Sequence, residues 1–444
     1  MTTTSIRRIL QGLRTDGTYW MLVGSLLAAV GAYLFQLITT RSLGEVRYAP
    51  IGTLWTIQYL TVSIFLYSVE IYVNRSSLQA EGNSERAPSL GRIWASIASV
   101  AAGVVAFSWW FRDQLFLGQG ELAVVAGSLV VTFGAFMIVR GRLAGFGRFK
   151  AYGLVTASES LCRFVLAVGA AAASAGTLVF AWTMPLGALA AASWWPALKR
   201  RRPARQGGEA LPVKPAGTVR FLALTTSANA AAQLLLAGGP LLLAFLHASP
   251  TAISIFFVTV TAARLPIVFV FGGILSRLLG TFVRLADTDH GRSLRRAATQ
   301  IAAGTAAVAF LGGAAAAAVG SPLIGVLFGH GFLPPWWLAA GATTGVLLAT
   351  GSMVLNQVLV ATGSEARLPV VWTIALIGAA VTVAVTTWSP MARVVTGFIV
   401  GEVIALIGLA VAVRYGAPGQ STESAGDDWA TETVGRSPQA TDPL

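Results

Sequence analysis

Between residues 199 and 218 the chain reads KRRRPARQGGEALPVKPAGT. Arginine, proline and glycine crowd this stretch, which falls near the middle of a chain of 444 residues. On either side the sequence is a succession of long apolar runs bounded by Arg, Gly, Pro or polar clusters. Before it, six runs fall at about 18–40, 48–73, 92–111, 121–139, 151–174 and 177–198. After it, six more fall at about 219–247, 251–276, 297–319, 336–361, 368–388 and 393–413. A spanning helix needs about 20 mostly apolar residues. The reading is an all-α integral membrane protein with about 12 transmembrane helices in two six-helix lobes.

Composition points the same way. The chain is 55% hydrophobic and only 11% charged, against roughly 25% charged in an average soluble domain. Its mean hydropathy is +0.70. A water-soluble enzyme, a disordered chain and a collagen-like fibre are excluded. The single cysteine, Cys162, excludes an internal disulfide and any cysteine-cluster metal site. The three histidines, His247, His290 and His330, lie far apart, with no ligand-spaced pair.

Lysine and arginine set the expected orientation. Of 31 such residues, 25 lie in the N-terminal segment, in the loops after even-numbered spans and in the C-terminal tail. The alternate loops hold only Arg41, Arg47, Arg112 and Arg393, and two more, Arg163 and Arg264, fall inside spans. Both termini are therefore expected in the cytoplasm. The net charge of +13 reads as an orientation signal toward anionic lipid heads, not as a nucleic-acid surface. The expected organisation is a cytoplasmic N-terminus at 1–17, an N-lobe at 18–198, a cytoplasmic linker at 199–218, a C-lobe at 219–413 and a disordered cytoplasmic tail at 414–444. The first apolar run is too long for a signal-peptide core and reads as a retained helix. A 6+6 layout is common among transporters built from two structural repeats.

Ionisable groups inside a bilayer are expensive and face a partner or an aqueous cavity. Glu159 and Arg163 are four apart on the fifth span and share a helix face. They read either as an internal ion pair or as a cavity-facing pair that opens to bind substrate or a proton. Arg264, followed by Pro266 on the eighth span, has no carboxylate within a turn. Glu402 on the twelfth span is the lone carboxylate available to it, so a bridge between them and a water-filled cavity beside Arg264 are the two readings. Glu70, near the inner end of the second span, is expected to snorkel to the interface. Asn229 and Gln233 share a face of the seventh span. Asn356 and Gln357 lie on the tenth, Gln58 on the second and Gln36 on the first. Such amides act as interhelical glue or line a polar cavity. Gly238-Gly239-Pro240 and Gly272-Gly273 would break or bend helices, or pack them closely.

The chemistry of an enzyme is missing from the sequence. There is no G-x-x-x-x-G-K-[ST] phosphate cradle and no Ser/His/Asp or Cys/His constellation. Asp287-Thr288-Asp289 lies in a loop among arginines and reads as solvated chain. No catalytic set, no metal site and no cofactor is expected, and the identity of any coupling ion is open.

Several stretches resemble polysaccharide flippases of the multidrug/oligosaccharidyl-lipid/polysaccharide exporter superfamily. Phe35-Gln36-Leu37-Ile38-Thr39-Thr40-Arg41-Ser42-Leu43-Gly44 with Tyr48-Ala49 is similar to their first-helix exit, and Arg140 to Phe149 to the loop after their fourth helix. Leu246 to Phe256, with Ser249-Pro250 and Ile255-Phe256, resembles their helix-seven exit, and Arg264-Leu265-Pro266 a segment of helix eight. Leu327-Phe328-Gly329 looks like the element after helix nine, and Gln357 to Gly363 the end of helix ten. The resemblance covers about residues 18–413.

This resemblance implies two lobes around a central cavity that alternates between the membrane faces. The implied cargo is a polyprenyl-pyrophosphate-linked oligosaccharide for cell-surface polysaccharide synthesis. The implied setting is the bacterial plasma membrane, beside polymerase and glycosyltransferase machinery. Arg264, with Arg163, would hold the pyrophosphate, and Asn229, Gln233 and Gln357 would meet sugar hydroxyls. Glu159 and Glu402 would serve as ion-coupling groups or structural partners. The alternatives are an ion-coupled small-molecule or drug exporter of the same superfamily, or a peptidoglycan lipid-precursor flippase. That last branch carries arginines within its first two helices, whereas Arg14 and Arg41 sit at the ends of the first span here.

Overall fold

The computed structural model describes residues 18–79, 90–190, 194, 215–264, 292–361 and 364–415. Among the described residues the fold is all-helical, with no strand. Backbone groups in hydrocarbon have no water to bond, so each segment must satisfy its own N–H and C=O groups, and a helix does that.

The first element, α1 (Thr18–Thr61), has 44 residues. At 1.5 Å per residue that is about 66 Å, twice the hydrocarbon thickness of about 30 Å. It must hold two spans, and it breaks between them at Gly44 (φ 71°, ψ 174°), a conformation open to a residue without a Cβ. A π-turn at Val62–Leu66 leads into α2 (Tyr67–Gln79). Then come α3 (Leu90–Trp110), the short α4 (Arg112–Phe116), α5 (Glu121–Gly145), α6 (Phe149–Ala172) and α7 (Thr177–Leu189). In the second half α8 (Pro215–Ala237) and α9 (Gly239–Phe245) meet at a 65° bend. They are followed by α10 (Pro250–Ala263), α11 (Arg292–Phe328), α12 (Trp336–Ala361), α13 (Leu368–Val385) and α14 (Pro390–Tyr415). Ten of the twelve expected spans fall mainly on described helix, while the sixth and eighth are described only as far as Ala190 and Arg264.

Packing divides the chain into two groups. In the first, α1 lies along α6, α5 receives α2 and α3, and α7 covers α5 and α6. In the second, α11 lies on α12, α14 on α12 and α13, and α13 on α8. Between the groups α1 touches α8, α9, α10 and α11. The α1–α6 contact is close enough that a Cβ on Gly24 would run into the Gly153 backbone, the small-residue approach common between membrane helices. Exposed aromatic residues gather at both ends of the bundle. Trp110, Trp336 and Trp388 stand at the low-charge end, and Tyr19, Trp20 and Tyr415 at the basic end. These are the girdles expected at the two interfaces.

The structure corrects several boundaries. The fifth helix of the series, α5, runs to Gly145, so Arg140 and Arg142 belong to helix and not to loop. The reason is a buried partner. Arg140 donates to the Tyr152 hydroxyl and lies 3.4 Å from the Glu70 carboxylate, and the Tyr152 hydroxyl donates to Glu70 Oε1 at 3.0 Å. Glu70 is accordingly 6% exposed and does not snorkel. The seventh span begins at Pro215, inside the stretch expected as linker. The segment 1–17, residues 199–214, Pro266, Gly272-Gly273, Asp287-Thr288-Asp289, His290 and the tail from 416 lie outside the described residues.

Candidate functional site

Arg264 is delivered to the middle of the bundle by α10. Ser249 starts that helix as N-cap, its hydroxyl accepting from the Ala252 N–H at 3.2 Å, with Pro250 in the first turn. Fourteen residues on, the Arg264 guanidinium lies between the two helical groups. It sits 5.5 Å from the centre of the Tyr59 ring of α1, a cation–π placement. Its Nη2 donates to the Leu236 carbonyl of α8. Its Nε is buried with no hydrogen-bond partner among the described residues.

Beside it is a small cavity of about 10 Å³, space for about one water, walled by Trp55, Thr56, Tyr59, Pro240, Phe257 and Thr261. Ligand sites enclose about 300–1,000 Å³, so the site is closed in this conformation and the groups must part before any head group enters. Tyr33 and Tyr59 cross from α1 to the second group here. The Tyr33 hydroxyl donates to the Thr261 carbonyl at 2.7 Å, and the Tyr59 hydroxyl to Gln233 Oε1 at 2.9 Å. Gln233 Nε2 in turn donates to Asn229 Oδ1 at 3.3 Å, and Asn229 Nδ2 to the Ser63 carbonyl at 2.9 Å. Asn229 and Gln233 are thus joined to Arg264 through Tyr59. Gln357, half-buried on α12, does not line this cavity.

Arg163 lies elsewhere, within the first group. It is 3% exposed and pairs with Glu159 at 2.7 Å, while the Ser160 hydroxyl donates to Glu159 Oε2 at 2.7 Å. Of the two readings of this pair, the structure has the internal ion pair. The guanidinium also stands 4.7 Å from the Trp55 ring and 5.6 Å from Phe35. Its Nε and Nη1 are buried without hydrogen-bond partners among the described residues. Trp55 therefore faces Arg163 and also lines the Arg264 cavity.

Glu402 is fully buried and has no cationic partner among the described residues; the Ser352 side chain is the polar group at its carboxylate. The bridge to Arg264 is not formed, because Arg264 is engaged by Leu236 and Tyr59. Gln36 and Gln58 each bury a side-chain oxygen without a hydrogen-bond partner among the described residues.

Sequence reasoning did not single out Tyr33, Trp55 or Tyr59. A usable signal was present. Trp55 and Tyr59 are one helical turn apart, and an arginine in hydrocarbon seeks an aromatic face.

At the low-charge end the groups meet closely. Arg41 donates to the last carbonyls of α11, from Nη2 to Val326 at 2.6 Å and from Nε to Leu327 at 3.1 Å. Helix C-termini leave such carbonyls free and carry partial negative charge. The Ser254 hydroxyl donates to the Glu45 carbonyl at 2.6 Å, and Tyr48 packs edge-on against Phe332.

No protein-family model and no curated protein matches the sequence. Solved structures do match. One is an inward-facing conformation of a multidrug resistance MATE family transporter of the MOP superfamily, 14% identical over 88% of this chain and 94% of that chain, with a TM-score of 0.63. An outward-facing conformation described in the same words matches at 14% identity over 90% and 94%, with a TM-score of 0.54. A mutant of the Vibrio cholerae MATE transporter VcmN matches at 15% identity over 93% and 98%, with a TM-score of 0.54. At such identities the likeness establishes the fold: this chain is a multi-pass membrane protein folded like these transporters.

Proposed function

We propose that this protein is an alternating-access transporter of the exporter superfamily, not an enzyme, and that it moves a polyprenyl-pyrophosphate-linked oligosaccharide across a bacterial plasma membrane. The carrying observation is Arg264. A guanidinium with a buried N–H that has no hydrogen-bond partner among the described residues stands beside a small aromatic-walled cavity between the two helical groups. Charge-assisted contacts from such a group to a phosphate are strong and directional, and low dielectric strengthens them further. The amides of Asn229 and Gln233, reached through Tyr59, supply acceptors and donors for sugar hydroxyls.

Alternation is supported by the low-charge end, where Arg41, Ser254 and Tyr48 draw the groups together. The fold superposes better on an inward-facing transporter structure than on an outward-facing one, with TM-scores of 0.63 and 0.54. Polymerase and glycosyltransferase enzymes would supply and consume the cargo. The test is Arg264→Ala. Surface polysaccharide export is abolished while the protein remains folded and inserted, and normal export from that variant removes the assignment.

Glu402 favours a second reading. A buried carboxylate with no cationic partner among the described residues is a natural proton or cation carrier, as an ion-coupled exporter of small molecules needs. In that case Glu402→Gln raises sensitivity to cationic dyes and leaves surface glycan unchanged. Glu159→Gln does the same if the Glu159–Arg163 pair takes part.

A further inference from the structure

The bend between α8 and α9 has a cause that can be read residue by residue. Pro240 occupies the first turn of α9 and has no N–H. In an unbroken helix the N–H of residue 240 would bond to the carbonyl of residue 236. Leu236 therefore loses its helical donor, and the proline ring forces the chain away from a straight path. Water cannot replace that donor in hydrocarbon, where an unsatisfied carbonyl is costly. The donor comes from another helix, because Arg264 Nη2 bonds to the Leu236 carbonyl.

The same guanidinium lies over Tyr59, and Tyr59 bonds to Gln233, one turn before Leu236. One arginine thus supports the broken helix and touches the opposite group of helices. Its acceptor is a neutral amide carbonyl. An ionised phosphate oxygen carries the charge that a carbonyl lacks and can take a guanidinium bidentately, so it is the stronger acceptor.

We propose that the Leu236 carbonyl and an isoprenoid-linked phosphate compete for Arg264, so that ligand binding releases the carbonyl and changes the α8–α9 bend. This rests on the anion-binding reading given above and adds how occupancy is sensed. An empty site keeps Arg264 on Leu236 and the bend as seen. A filled site withdraws the arginine, and the half-helix α9, which packs on α10 and α14, moves with the loss of its support. Pro240 is then a specificity element. By removing one N–H it makes the ligand displace an existing bond, which penalises weak acceptors more than phosphates.

The experiment uses the full chain in lipid nanodiscs, with farnesyl pyrophosphate as probe and farnesol and inorganic pyrophosphate as controls. Spin labels at Leu234→Cys and His247→Cys, both exposed positions flanking the bend, are placed in a Cys162→Ser background. Farnesyl pyrophosphate should shift the label distance, and farnesol should not. A shift with inorganic pyrophosphate alone assigns recognition to the phosphates, and its absence adds the lipid tail to the requirement. Pro240→Ala restores an N–H for Leu236 and frees Arg264. It should bind the probe roughly tenfold tighter, the worth of one charged hydrogen bond, with a label distance that no longer responds. Arg264→Ala should adopt the ligand-bound distance without any probe, a readout that does not require Pro240→Ala to fold.

Probe binding with no change in distance overturns the competition. So does Pro240→Ala with unaltered affinity and response. Both leave Arg264 as an anion site. Undiminished binding of the probe by Arg264→Ala overturns the anion site itself.

Discussion

The Arg163 guanidinium and the Glu159 carboxylate lie 2.7 Å apart on one face of α6, and each side chain is 5% exposed or less. This pair is fixed by helix geometry alone, since residues four apart meet on the same side. Removing one partner strands the other charge in the protein interior, at a cost of about 3–5 kcal/mol. Arg163→Leu and Glu159→Leu should each lower the melting temperature in detergent sharply. The double variant should regain most of the loss, because burying neither charge avoids the desolvation penalty. Additive losses in the double variant would mean that the two charges do not act as a pair.

Tyr152 holds Glu70 and Arg140 together with a single hydroxyl. Tyr152→Phe keeps the ring, including its cation–π contact with Arg140 at 4.7 Å, and removes only the oxygen. A loss of about 1–3 kcal/mol is expected from bonds to charged partners. The check is thermal unfolding of the purified variant alongside Glu70→Gln, which should be no less damaging.

Arg41 closes the low-charge end by reaching across to α11. Ser254 is fully buried there, so Ser254→Cys in the Cys162→Ser background reports opening with little change in size. Adding Arg41→Ala should raise its rate of labelling by a membrane-impermeant maleimide roughly fivefold, equivalent to about 1 kcal/mol. A rate unaffected by Arg41→Ala would show that Tyr48 and Phe332 hold this end closed without help.

Glu402 has no cationic partner among the described residues, only the Ser352 side chain. An ionised carboxylate in that position would cost several kcal/mol, whereas the amide of glutamine has nearly the same shape and no charge. Glu402→Gln should therefore leave the melting temperature unchanged or raise it, and Glu402→Asp, which opens a gap, should lower it. A large drop for Glu402→Gln would point to a bound cation that the carboxylate serves.

The spans were legible because hydrophobic thickness is a length that a sequence displays directly. Their alternation with arginine-rich loops supplied the expected orientation, and Glu159 with Arg163 could be paired from spacing. Legibility stopped where two distant segments had to be placed together. Glu70 looked free to reach water because nothing nearby in sequence announced Arg140 and Tyr152. Arg264 looked short of a partner because its acceptor is a backbone carbonyl, and backbone atoms leave no mark in the residue pattern. Pro240 was the available clue: a proline in a span identifies the carbonyl four residues earlier as one that must find another donor. The Arg264–Glu402 bridge failed for the same reason, since a side-chain inventory omits main-chain acceptors.

At Gly24 and Gly153 two helices run with their main chains in direct contact. Nothing compressible lies between them, so the first span cannot slide or roll on the fifth without lifting away from it. Whatever travel these two helices make, they make together. A single methyl group added at either glycine would act as a wedge and force the pair apart.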